Sequence, residues 1–148
     1  MENQTFRILL ADDDEGDRLI FTDAIDEMII KHIVQTVDDG MQLIEYLTKK
    51  DAILPDIIFL DLNMPRKNGL ECLKEIRKNE KFGGILIFIY STSAAEKDIH
   101  ETFMNGANVY IKKPNNFELL KKLLSKAIDT SSIIKEASLD RKNFFLSI

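Results

Sequence analysis

The chain has one cysteine, Cys72, in 148 residues. That excludes an internal disulfide and suits a reducing compartment. Leu70, Leu73 and Ile76 recur around Cys72 at helical spacing, so the thiol is read as a small buried hydrophobe rather than a nucleophile. Histidine is scarce too. His32 and His100 lie in predicted helical or loop regions, and neither stands at metal-ligand spacing from another histidine or cysteine. Both are assigned to surface or packing. No apolar run approaches ~18 residues, so no membrane span is expected. Met1 to Thr5 is polar and the apolar run after it is short, unlike a secretory leader. A basic arm is missing, and the net charge of −5 with a pI near 5.1 argues against nucleic acid as a direct partner. No repeat, low-complexity tract or long linker interrupts the sequence. The expectation is a single cytoplasmic domain with a core of its own.

What is present alternates. Phe6 to Ala11 reads as a strand, stopped by Asp12-Asp13-Asp14-Glu15. Asp13 or Asp14 could cap the helix that follows, whose apolar positions are Leu19, Ile20, Ala24, Ile25 and Met28. Ile33 to Val37 is a β-branched strand, Asp39-Gly40 a turn, and Leu43, Ile44 and Leu47 mark a second helix. Ile57 to Leu60 is an unbroken apolar run closed by Asp61, as buried parallel strands are. A loop, Asn63 to Gly69, leads to a third helix. Ile85 to Tyr90 is a fourth strand ending at Ser91-Thr92-Ser93, and a helix with Ile99, Phe103 and Met104 follows, closed at Gly106. Val109 to Ile111 is a fifth strand before Lys112-Lys113-Pro114, and Phe117, Leu120, Leu124 and Ile128 give a fifth helix. Five βα units in series predict an α/β fold: a doubly wound, five-stranded parallel sheet with helices on both faces. The flavodoxin-like order 2-1-3-4-5 is favoured.

Such sheets bind ligands outside the C-terminal ends of their strands. Asp12, Asp13, Asp61 and Lys113 all fall there. Their charges sum to about −2 if all are ionised, and the carboxylates repel one another unless a cation enters. A hard, oxygen-rich set with few ligands suits Mg2+ that retains several waters. Each residue also has a plainer reading. Acidic residues at the start of a helix offset its dipole, and that is the whole task expected of Asp14 and Glu15. Asp61 could simply end a strand, while Pro65 and Gly69 are ordinary turn residues. Ser91, Thr92 or Ser93 could cap the fourth helix, and Tyr110 could be half-buried packing. Pro114 holds Lys113 extended, so Lys112 should face the other way.

The ordered set Asp12-Asp13, Asp61, Ser91 and Lys113-Pro114 resembles the receiver domain of two-component response regulators over about residues 5–128. Leu60-Asp61-Leu62-Asn63-Met64-Pro65 with Gly69 is the most specific segment. The resemblance implies that Asp61 accepts a phosphoryl group from the phosphohistidine of a sensor kinase. It implies that Asp13 and Asp61 ligate Mg2+ directly with the Asn63 backbone carbonyl, and that Asp12 acts partly through water. Lys113 would stabilise phosphoryl charge, Ser91 would swing toward it, and Tyr110 would turn inward behind. Serine stands at Ser91 where threonine is commoner, which should preserve the hydrogen bond. The residues expected to tune dephosphorylation are Asn63 and Ser93. The readout surface would be the fourth helix, fifth strand and fifth helix. The chain also resembles stand-alone receivers paired with phytochrome kinases, and a phosphotransfer protein is a further expected partner.

Residues 129–148 form a C-terminal extension beyond the receiver pattern, with no separate output domain expected. Phe144-Phe145-Leu146 and Ile148 suggest docking onto a second subunit, hence a homodimer, or onto another partner. The plainer readings are a frayed end or packing on its own domain. Two other functions compete with the phosphorylation switch. A metal-dependent phosphatase of the haloacid-dehalogenase type needs an acid two residues after its nucleophile, where this chain has Asn63. A phosphorylation-independent interaction module usually loses the acid pair or the lysine, and this chain keeps both. The expectation is therefore a phosphoacceptor that assists its own Mg2+-dependent phosphorylation and dephosphorylation, not an enzyme acting on other substrates.

Overall fold

A computed structural model describes residues 5–134 and 145–146. The elements run β1 (Phe6–Ala11), α1 (Glu15–Asp26), β2 (His32–Val37), α2 (Gly40–Thr48), β3 (Ile57–Leu60), α3 (Gly69–Lys78), a 3-10 turn (Glu80–Phe82), β4 (Leu86–Ser91), α4 (Glu96–Met104), β5 (Val109–Lys112), α5 (Phe117–Ile134) and β6 (Phe145–Leu146). The sheet order is β2-β1-β3-β4-β5-β6, and every pairing is parallel. The five expected strands thus lie in the expected order, and one more strand extends the sheet. β6 pairs Phe145 with Tyr110 and Leu146 with Ile111. Part of the apolar tail therefore lies along β5 of its own chain. Ile148 and Phe144 lie outside the described residues.

Strand alternation builds two cores. Leu9, Ile58, Leu60, Ile87, Ile89 and Tyr110 face the side covered by α2, α3 and α4, where Leu43, Cys72, Leu73 and Ile76 are buried. Ile8, Leu10, Ile57, Phe59, Phe88 and Val109 face the side covered by α1 and α5, where Phe21, Ala24, Leu120 and Leu124 are buried. The four-residue β3 is buried on both faces, as expected for the middle of a parallel sheet.

Several local expectations need correction. The stripe of α1 is rotated: Phe21, Ala24 and Ile25 are buried, whereas Leu19 and Ile20 are exposed. Phe21 meets Phe59 edge-to-face at 5.0 Å, which fixes that orientation. Met104 is likewise exposed, because Ile99 and Thr102 carry the buried face of α4. His32 begins β2 instead of lying in a helix or loop, and its ring bonds Asp26 and the Ile30 carbonyl. Of the two expected cap candidates, Asp14 caps α1 by accepting from the Asp17 amide, as one reading allowed. No side chain caps α4, whose N-cap is Ala95.

Candidate functional site

The strand ends are tied together by their own backbone. Asp12 donates its amide to the Val37 carbonyl, Asp61 to Ala11, and Lys113 to Ser91. These three bonds step across the C-terminal edge of the sheet and bring Asp12, Asp61, Ser91 and Lys113 to one place. Asp12 and Ser91 are fully buried, Asp61 is 5% exposed, and Asp13 faces solvent. One oxygen from each of Asp12, Asp13 and Asp61 lies within 4.8 Å of the others. Among the described residues this is the cluster of His, Cys, Asp and Glu with metal-holding geometry. Lys113 Nζ is 2.7 Å from Asp12, 2.9 Å from Asp17 and 3.5 Å from Asp61. The expected lysine–Asp61 pair is present, but two other carboxylates are closer.

Burial pushes the Asp61 carboxyl up to about 6, Lys113 opposes that rise and Asp12 adds to it. Burial also works against the charge on Lys113, yet hydrogen bonds to Asp12 and Asp17 outweigh it and raise the ammonium above its ordinary value. The lysine stays charged throughout the physiological range. The site is thus a desolvated carboxylate with a fixed ammonium beside it and two further carboxylates within reach. Hard oxygens crowded this closely, one of them destabilised as an anion, fit a divalent cation such as Mg2+.

The loop after β3 is held by close backbone approach. The Gly69 amide donates to the Leu62 carbonyl, and a Cβ on Gly69 would lie 2.2 Å from the Asp61 carbonyl oxygen. A Cβ on Gly40 would lie 2.1 Å from the Lys67 carbonyl oxygen. The loop is therefore wedged between β3 and the start of α2. The Asn63 amide reaches back to Asp61 Oδ1 at 3.4 Å, a long bond that keeps the residue beside the carboxylate.

Ser91 Oγ accepts from the Ser93 amide at 3.1 Å, and Ser93 Oγ donates to Asp98 at 2.6 Å. Tyr110 is fully buried, not half-buried, and its hydroxyl donates to the Ser93 carbonyl at 2.9 Å. The ring thus already occupies an inward position. Lys112 is exposed and His100 lies on the surface of α4, both as expected.

Sequence reasoning missed three residues. Asp17 holds Lys113 from α1. Its signal was available, since Asp17 precedes Phe21 and Ala24 by four and seven positions and so shares their buried stripe. Arg18 donates to the Asp12 carbonyl at 2.8 Å. Arg66 reaches from the β3–α3 loop to Asp39, and nothing in the local sequence announces that contact.

The model of the response regulator receiver domain matches residues 8–125. This chain belongs to that family. The receiver is 29% identical over 121 residues to the response regulator Rcp1 of Synechocystis, covering 79% of this chain and 82% of that one. It is 28% identical over 120 residues to a probable methanogenesis regulatory protein, FilR2, of Methanothrix harundinacea, covering 79% and 77%. Among solved structures, the phosphorylated cyanobacterial phytochrome response regulator RcpA superposes with a TM-score of 0.81 at 31% identity, covering 92% of this receiver and 99% of that chain. The Mn2+-bound form of Rcp1 gives 0.78 at 27% identity, covering 84% and 96%. Among the described residues of this receiver, no helix is long and apolar enough to cross a membrane.

Proposed function

We propose that this receiver is a phosphoacceptor of a histidine-to-aspartate relay, with Asp61 as the acceptor. The observation that carries the reading is the juxtaposition at the sheet edge of one desolvated carboxylate, Asp61, with Lys113 at 3.5 Å and with Asp12 and Asp13. An Asp61 oxygen attacks the phosphorus of a phosphohistidine, the P–N bond breaks, and its electron pair leaves on the imidazole nitrogen, which takes up a proton. Such transfers need positioning and neutralisation of charge more than covalent assistance. Lys113 supplies one fixed positive charge against the phosphoryl oxygens. Asp12, Asp13 and Asp61, with the Asn63 carbonyl, would hold Mg2+, which when bound neutralises phosphoryl charge. Ser91 then exchanges its bond from the Ser93 amide for one to a phosphoryl oxygen, while Tyr110, already inward, holds the Ser93 carbonyl behind it. The added charge biases this two-state element.

The partner this reading assigns to a cytoplasmic receiver is a sensor histidine kinase. The likeness to RcpA and Rcp1 supports a phytochrome-like one, and a phosphotransfer protein is a second candidate. Receiver function is assigned to residues 5–128 and an accessory role to 129–148. A homodimer through the tail is tested by sedimentation with and without a phosphoryl mimic, where a monomeric mass in both conditions excludes it. The acceptor role is tested by intact-mass spectrometry after incubation with acetyl phosphate and Mg2+. A phosphoryl adduct that requires Mg2+ and is absent from Asp61→Asn supports it. No adduct on folded wild type would favour a phosphorylation-independent interaction module.

A further inference from the structure

Lys113 is the positive charge set among the carboxylates of the acidic edge, and its position is contested. Its side chain is 8% exposed, and those of Asp12 and Asp61 are 0% and 7%. Asp17, at 38%, is the one partner on the solvent side. It draws the ammonium toward α1 and away from Asp61. The Asp17 backbone is held at the start of α1, where its amide donates to the capping Asp14 carboxylate at 2.7 Å. Lys113 also lies 5.1 Å from the centre of the Tyr90 ring. Asp17, Ile20, Tyr90, Lys113 and Phe117 line a hollow of about 250 Å3 on that side, so the ammonium has room to shift.

Asp12 serves two claimants, the lysine and any cation held by the acidic cluster. A lysine without Asp17 would lean wholly on Asp12 and Asp61 and compete with that cation for their oxygens. We infer that Asp17 is a positioning residue that shares Lys113 with Asp12, limiting how far the ammonium occupies the Asp12 and Asp61 oxygens that a divalent cation would take while keeping it within reach of Asp61. This deepens the phosphoacceptor reading and rests on it for its purpose. The plainer role for Asp17 is that of an acidic residue in the first turn of a helix, which would act on Lys113 not at all.

A double-mutant cycle separates the two, read as Mg2+ affinity by titration calorimetry with no phosphoryl donor present. The four proteins are wild type, Asp17→Asn, Lys113→Met and the double variant. Asp17→Asn is expected to weaken Mg2+ binding about 3- to 10-fold in the wild-type background and to have no effect beyond about twofold in the Lys113→Met background. Asp17→Glu restores the affinity. Glu15→Gln, in the same turn but without contact to Lys113, leaves it within about twofold. Asp17→Ser serves in place of Asp17→Asn if a thermal melt shows that variant unfolded. Equal weakening in both backgrounds, or none in either, overturns the inference. Because no phosphoryl group is involved, the cycle gives its answer even if wild type forms no adduct.

Discussion

Arg66 donates through Nε, at 2.9 Å, and through Nη2 to Oδ2 of Asp39, whose Oδ1 caps α2. Asp39 is 1% exposed, while Arg66 lies on the loop that follows β3 and adopts φ 65°. A non-glycine residue in the left-handed region costs about 1 kcal/mol or more, and it persists only where surroundings hold it. Here a buried charge does so. Removing the guanidinium strips a charge-assisted bond from Asp39, which also accepts from the Gln42 amide. Arg66→Ala is expected to cost about 1–3 kcal/mol in urea unfolding. Arg66→Gly should cost about 1 kcal/mol less than Arg66→Ala, since glycine accepts this backbone freely. Equal losses would mean that the loop relaxes out of the strained conformation.

Asp61→Asn should stabilise the metal-free protein near neutral pH. The carboxyl has a folded value of about 6 against an ordinary 3.8. Between those values the folded chain holds a proton that the unfolded chain has released, so this group's contribution improves as pH falls from 7 toward 4. Above 6 the buried carboxylate is charged at a cost. Asp61→Asn removes that cost, for a gain of about 1–3 kcal/mol at pH 7.5 that shrinks toward pH 4. Thermal melts at both pH values measure it. Mg2+ should raise the melting temperature of wild type well above its effect on the variant.

Gly69→Ala tests the wedge under Asp61. Its Cβ would overlap the Asp61 carbonyl oxygen and press on the Leu62 backbone, so β3 or α3 must shift. A loss of about 2 kcal/mol or more is expected, together with slower adduct formation from acetyl phosphate. Gly84→Ala is the control, because a Cβ there meets nothing within 4 Å.

Cys72 should be silent in the native state. It is fully buried, its thiol bonds the Gly40 carbonyl at 3.6 Å, and burial pushes its pKa up to about 12. Thiolate is the reactive form, so a thiol reagent at pH 8 should label the chain only on denaturation. Stoichiometric labelling of folded protein would show that α3 opens readily from α2.

The architecture was readable because the central strands of a doubly covered sheet must be apolar along their length, and Ile57 to Leu60 announces itself that way. Asp61 was readable for the converse reason, as a charge closing such a run. Asp12, Ser91 and Lys113 followed from the rule that strand ends converge. Contacts that arise only in three dimensions were not readable. Lys113 meets Asp17 across 96 positions, and Arg66 meets Asp39 across 27. β6 was also missed. A two-residue pairing has no period of its own, and Phe144-Phe145-Leu146 suits an edge strand, a helix groove or a partner equally well. The rotated stripe of α1 shows the limit of periodicity: the run from Leu19 to Phe21 is apolar throughout, and only the aromatic contact to Phe59 decides which member turns inward.

β6 also offers the experimenter a vantage point. Its backbone is hydrogen-bonded beside Tyr110, whose hydroxyl reaches Ser93, whose amide in turn holds Ser91. A backbone probe on β6 would lie beside the strand that carries Tyr110, which the proposed function has responding to chemistry at Asp61. Amide exchange at Ile111 would be a label-free version of the same gauge. Under the proposed phosphoacceptor role, occupancy of Asp61 could then be followed in real time, without radioactive phosphate and without altering any group that touches it.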